Sequence, residues 1–126
     1  GWRGSVADIL GAAVAQMCAL GAHPADIRAA VGPAIGQCCF ETDSDVPEAL
    51  RAALGAAAEP FMVWNGSKWH IDLKAVNALW LQKAGVTRID VCSHCTACRP
   101  DLFWSHRKMG DQRGVQVAVI SLKEGL

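Results

Sequence analysis

Six cysteines, four histidines and a scatter of arginines are the side chains of this sequence that could do chemistry. Cys92, Cys95 and Cys98 recur every third residue with His94 among them, a spacing able to ligate zinc or an iron–sulfur cluster. A fourth ligand would have to come from across the fold, from Cys38-Cys39, His70 or His106. The plainer reading of the same cluster is a thiol-lined strand end or pocket wall. Cys38 or Cys39, beside His70 or His106, could also supply the nucleophile and base of a cysteine hydrolase; against this stands an inert buried thiol. The arginines are anion candidates, because a planar guanidinium binds two oxygens at once. Arg3 lies in Gly1-Trp2-Arg3-Gly4, which reads as a strand end turning into a helix, with the arginine near N–H groups that can bind an anion. A structural turn with a surface arginine is the alternative.

These side chains need elements to position them. Ser5 to Gly21 reads as one helix that stops at Gly21, with Pro24 beyond. Asp26 to Val31 reads as a short strand and Gly32 to Gly36 as a loop leading into Cys38-Cys39-Phe40-Glu41. Ser44 or Asp45 caps a second helix through Val46 to Leu54, with Pro47 in its first turn, and Ala56 to Pro60 is a connector. Phe61 to Trp64 and Lys68 to Ile71 flank Asn65-Gly66, a strong hairpin signal. Asp72 begins a third helix, with Leu73, Val76, Leu79 and Trp80 at helical spacing, that ends at Gly85. Val86 to Cys92 and Val115 to Leu122 are β-branched runs expected as buried strands. The 22 residues between them, Ser93 to Gly114, are too many for an idle connection and predict a functional wall.

Composition narrows the class. The 126 residues make one domain, and 12 basic against 12 acidic side chains without runs give no footprint for nucleic acid. Leu10 to Leu20 is apolar but too short for the ~20 residues of a membrane span. Adjacent Cys38-Cys39 and Cys18 in an apolar helix do not resemble a disulfide scaffold, so reduced thiols in a cytoplasmic protein are expected. Small-molecule chemistry is the resulting expectation, with no nucleic-acid or membrane partner. The absence of an initiator Met before Gly1 suggests a chain that is cut rather than begun.

Several segments, in order, resemble one family. Gly1-Trp2-Arg3-Gly4, Gly32 to Glu41, Asp72-Leu73 with Asn77, Gly85-Val86, Cys95-Thr96 and Phe103-Trp104-Ser105-His106-Arg107 look like the C-terminal half of the laccase-domain proteins. These are also called the multicopper polyphenol oxidase or peptidoglycan-editing factor family, and members are described as purine nucleoside phosphorylases. The resemblance implies an α/β fold, a mixed sheet with packed helices in an α-β-α sandwich-like arrangement, of which residues 1–126 are the C-terminal portion of a larger single domain. It implies nucleoside and phosphate as substrates, with deaminase or oxidase side activities, and a zinc or copper ion on two histidines and a cysteine. In the family one of those histidines stands two residues before the Gly-Trp-Arg-Gly motif and the other two ligands lie further upstream. All three positions are therefore absent here, and no cysteine or histidine of this sequence matches them. The carried-over site is Arg3 and Arg107 as catalytic residues, with Trp2, Ser105 and His106 binding substrate. Gln112-Arg113-Gly114 departs from the Thr-Gly-Arg of many members, which leaves the role of Arg113 open.

Overall fold

The computed structural model describes residues 1–124. Its first departure from expectation is the N-terminal helix, which is two helices, α1 (Trp2–Val6) and α2 (Ile9–Ala19). The break is at Asp8, held in the left-handed region (φ 51°, ψ 51°) while its carboxylate accepts the Gly11 N–H at 2.8 Å. Asp is one of the few side chains that tolerates that conformation and caps a helix from it. Gly11 is required for the cap, since a Cβ there would stand 2.2 Å from the Asp8 carboxylate. The expected strand end before Arg3 is also replaced: Gly1 is the N-cap of α1, so Arg3 lies inside the first helical turn.

Helix stops fall where glycine marks them. After α2, Gly21 (φ 101°) donates to the Cys18 carbonyl and Ala22 to that of Met17; after α4 (Leu73–Lys83), Gly85 (φ 91°) and Val86 do the same to Gln82 and Leu81. Both are paired closures that satisfy the last carbonyls through a left-handed residue. Asp72 caps α4 by accepting the Ala75 N–H at 3.0 Å. In α3 (Asp45–Leu54), Ser44 is the cap position but its hydroxyl makes no capping bond; Asp45 and Glu48 supply negative charge to the first turn instead. The connector after it winds as a 3₁₀ turn over Gly55–Phe61, tied back by Arg51 to Glu59 at 2.6 Å.

Two small sheets frame the helices. β1 (Arg28–Val31) pairs in parallel with β5 (Arg88–Val91), Arg28 opposite Arg88 and Val31 opposite Val91. β4 (Trp69–Ile71) lies between β2 (Glu41–Thr42) and β3 (Met62–Trp64), both antiparallel to it. The β3–β4 turn is the expected hairpin, with Asn65 Oδ1 accepting from the backbone of Ser67 and Lys68 and Gly66 at φ 95°. Packing follows the periodicities: Val46 and Leu50 of α3 join Phe40, Met62, Ile71 and Val76 in one core, and Val14, Ile27, Leu81 and Val86 form a second. α4 supplies both, Val76 to the first and Leu81 to the second, while Trp80 Nε1 donates to the Ser5 carbonyl at 2.6 Å and fastens α1 to it. The fold is therefore mixed α/β, with parallel and antiparallel pairing in separate sheets.

Two expected buried strands are not buried. β5 is largely exposed, and only Ile89 packs on the second core. Residues 115–122 form no ladder, and Val115, Val119 and Leu122 are 78, 89 and 92 % exposed. β-branched composition selects an extended backbone but supplies no partner. Beside β1 this segment leaves an open cleft of about 390 Å³, walled by Ala118 to Ile120 on one side and Arg28 to Gly32 on the other. No helix of the described residues is long and apolar enough to cross a membrane.

Candidate functional site

Where β1 and β5 end, their parallel course continues. The Cys92 N–H donates to Val31 O, and Ala34 bridges Cys95, with the Thr96 N–H on the Ala34 carbonyl at 3.1 Å. This lays the loop 32–41 against 92–98 and opens a concavity of about 350 Å³ that includes Trp2, Phe40, Thr96, Trp104, Ser105, His106 and Arg107 in its walls. Four of the five residues expected at the site thus line one hollow. Arg3 does not line it: its exposed guanidinium stacks 4.8 Å from the ring centre of Trp2, which does.

The wall from 104 to 116 is braced by its own polar groups. Ser105 is buried, and its Oγ accepts the Lys108 N–H at 3.3 Å as the cap of the short α5 (His106–Met109). Arg107 Nη1 donates to the Glu41 carbonyl at 3.0 Å, and its guanidinium lies 5.4 Å over the Phe40 ring, which leaves its remaining N–H groups available. Arg113 Nε donates to His106 Nδ1 at 3.1 Å; a nitrogen that accepts carries no proton, so the neutral ring keeps its proton on Nε2. Arg113 therefore orients His106. Gln116 grips Trp104 at both backbone groups, accepting its N–H at 3.1 Å and donating to its carbonyl at 3.4 Å. Gly114 lies flat beneath that indole, where a Cβ would be 2.7 Å from Cε2. Gln116 was not among the expected residues, whereas Thr96 and Trp104 lie in the 93–114 stretch whose length predicted a wall.

A second group lies behind this wall. Among the described residues one set of His, Cys, Asp or Glu stands close enough to share a metal ion: Cys38, Cys39, Cys95 and Cys98, their sulfurs all within 4.8 Å of one another. The expected trio is corrected in one member. Cys92 follows β5, its N–H and carbonyl taken by Val31 and by Lys74 Nζ, and it lines a further cleft of about 740 Å³ with Lys74, Cys38 and Cys95. The pocket-wall reading thus describes Cys92 and Cys95, while Cys38-Cys39 meets Cys95 and Cys98. Among the described residues no cysteine is hydrogen-bonded to a histidine, as the hydrolase reading would need. Cys38 and Cys39 face Cys98 at 3.6 and 3.5 Å, whereas His70 binds the Gln37 carbonyl and Asn65, and His106 binds Arg113.

The four thiols are electrostatically unequal. Hydrogen bonding to Cys98, followed by burial, pushes Cys39 up to about 12, and burial first of all raises Cys38. Burial also opposes ionisation of Cys95, but the N–H groups of Gly36, Cys98 and Ala97 outweigh it and hold this thiol down at about 6. In the reduced, chelator-treated chain the unfolded state then binds more protons than the folded one between about pH 6 and the ordinary 9.0, so stability rises with pH across that window and is lost as pH falls through 6. Above 9 the sign reverses, since folded Cys38 and Cys39 keep protons the unfolded chain releases. Urea midpoints measured from pH 6 to 10 should show this maximum, and Cys95→Ser should remove its rising limb.

Comparison with known proteins bears on the concavity. A family described as multi-copper polyphenol oxidoreductase laccase matches residues 1–123. "Purine nucleoside phosphorylase YlmD" of Geobacillus stearothermophilus is 37 % identical over 129 residues, covering 98 % of this chain and 47 % of that protein. "Adenosine deaminase RL5", from an unknown prokaryotic organism, is 40 % identical over 118 residues, covering 90 % and 45 %. The crystal structure of Bacillus licheniformis YfiH superposes with a TM-score of 0.80 at 36 % identity, over 86 % of this chain and 42 % of that one. The chain thus spans about half the length of the relatives it matches.

Proposed function

The chain belongs to the multi-copper polyphenol oxidoreductase laccase family, and from that premise we propose that residues 1–126 form the C-terminal portion of a laccase-like domain that phosphorolyses purine nucleosides such as adenosine or inosine. The observation that carries the reading is the gathering of Trp2, Ser105, His106 and Arg107 around one hollow, with Arg3 against its rim.

In phosphorolysis a phosphate oxygen forms a bond to the anomeric carbon, the glycosidic C–N bond breaks, and the purine leaves with the electron pair and takes up a proton. The protein must hold the anion in line and stabilise charge as it develops. Arg107 keeps most of its fork free for phosphate, and Arg3 adds positive charge beside Trp2. The indoles of Trp2 and Trp104 give flat apolar surface for the base, and His106 presents an Nε2–H donor whose tautomer Arg113 fixes.

The ion implied by the family, on two histidines and a cysteine, does not fit the residues present. His70 and His106 are engaged as described and His94 stacks on Phe103 at 5.6 Å; among the described residues no histidine shares a potential metal site with a cysteine. The test compares this chain with a version extended upstream through the His-Ala segment and the two earlier ligand positions. The extended protein should release free purine only when phosphate is added, and the 126-residue chain should release none. Ammonia in place of free purine would move the assignment to deamination. Turnover by the short chain that survives chelator and disappears with Cys39→Ser would overturn it in favour of the cysteine hydrolase.

A further inference from the structure

We propose that Cys38, Cys39, Cys95 and Cys98 form a tetrahedral site for a single zinc-class divalent ion, which fastens two walls of the concavity to each other. The inference is independent of the nucleoside reading. Four sulfurs around one zinc, with Zn–S of about 2.3 Å, stand about 3.8 Å apart along the tetrahedral edges. Cys98 lies 3.6 Å from Cys38 and 3.5 Å from Cys39, and no pair in the group exceeds 4.8 Å. An iron–sulfur cluster holds its cysteines at the corners of a multi-atom core and needs them further apart. Four soft thiolates in tetrahedral array select zinc-like ions over oxygen-loving ones.

The surroundings are built for sulfur. The Gly36 N–H donates to Cys95 Sγ at 3.1 Å, the outer hydrogen bond that orients a ligating thiolate. Glycine at position 36 eases this approach, since a Cβ would press on Cys95 Cβ at 3.1 Å and Cys38 Sγ at 3.3 Å. Both halves are turns, with the Cys39 and Phe40 N–H groups on the Gly36 carbonyl and the Arg99 N–H on that of Cys95. Cys95 is buried whereas Cys38 and Cys98 are exposed, so the ion has a path in from solvent. Each half continues directly into the hollow: Cys39 precedes Phe40 and Cys95 precedes Thr96, and both of these are wall residues. The ion would cross-link loop 32–41 to segment 92–98, and metal binding would add to folding stability.

Cobalt(II) is the probe for the reduced, chelator-stripped 126-residue chain. One equivalent should produce the thiolate-to-cobalt charge-transfer absorption and intense visible bands of tetrahedral sulfur coordination, and zinc should displace it. Zinc should shield Cys38, Cys39, Cys95 and Cys98 from alkylation, mapped by mass spectrometry, while Cys18 and Cys92 are modified. Cys39→Ser should weaken zinc binding by more than the roughly 10–100-fold typical of losing an outer partner; Cys92→Ser should not change it. Because the alkylation map uses the unmutated chain, it stands even where a variant fails to fold. A pale octahedral cobalt spectrum, or a shielded set that includes Cys92 or omits Cys38 or Cys39, overturns the proposal. So does a chain that forms a disulfide within the group in excess zinc rather than taking up the ion.

Discussion

Replacing Arg107 with methionine in the extended protein is expected to lower kcat/KM for phosphorolysis by roughly 10²–10³-fold, the usual consequence of removing one preorganised donor from developing charge. The side chain is fixed at one edge only. Nη1 is on the Glu41 carbonyl and the plane lies over Phe40, so the rest of the fork is held in place without being used up. Arg107→Lys should restore little, because an ammonium is a point charge and cannot hold two oxygens in a plane. Stability should change much less, since a cation over an aromatic face at an exposed site contributes about 0.5–1 kcal/mol. Steady-state kinetics at varied phosphate, with urea unfolding of the same variants, separates the two effects. An Arg107→Met enzyme with unaltered kcat/KM would remove this residue from the site.

Leu50→Ala should have the largest effect on folding, about 2–5 kcal/mol, from lost transfer energy plus the cavity left behind. Leu50 is fully buried, one helical turn beyond Val46 and in the core shared with Ile71 and Val76. Against a typical domain stability of about 5–15 kcal/mol, such a loss is a large share of the total. Val119→Ala is the control. That side chain is 89 % exposed, and its truncation should stay within about 0.5 kcal/mol. Equal urea midpoints for the two variants would show that the core is not organised around α3.

The contrast between these two apolar residues marks what sequence could convey. Local signals were legible wherever one residue's covalent geometry decides the backbone. Gly21 and Gly85 close helices, Asp72 opens one, and Asn65-Gly66 turns a hairpin. Asp8 was missed because its left-handed cap sits inside an unbroken alanine-rich pattern, and only the close approach to Gly11 distinguishes it from a mid-helix aspartate. Partners across the fold were less visible. Cys92, Cys95 and Cys98 share a regular spacing, yet the end of β5 separates the first from the other two, and the parallel bridge at Ala34 determines which loop the rest meet. Val115 to Leu122 carries every mark of a strand except a neighbour, and a neighbour is a property of topology rather than of the segment. At the concavity, Ser105, His106 and Arg107 were expected from a motif and line the hollow, whereas Gln116 had no local signal because its amide holds the backbone of a residue 12 positions earlier.

That grip of Gln116 on Trp104 ties the unpaired segment to the hollow. Gln116 stands at the head of the unpaired segment, and Trp104 is a wall of the hollow. Its amide bonds the backbone of Trp104 rather than the indole, so the exposed segment holds the position of the wall while the ring's face is left clear of that grip.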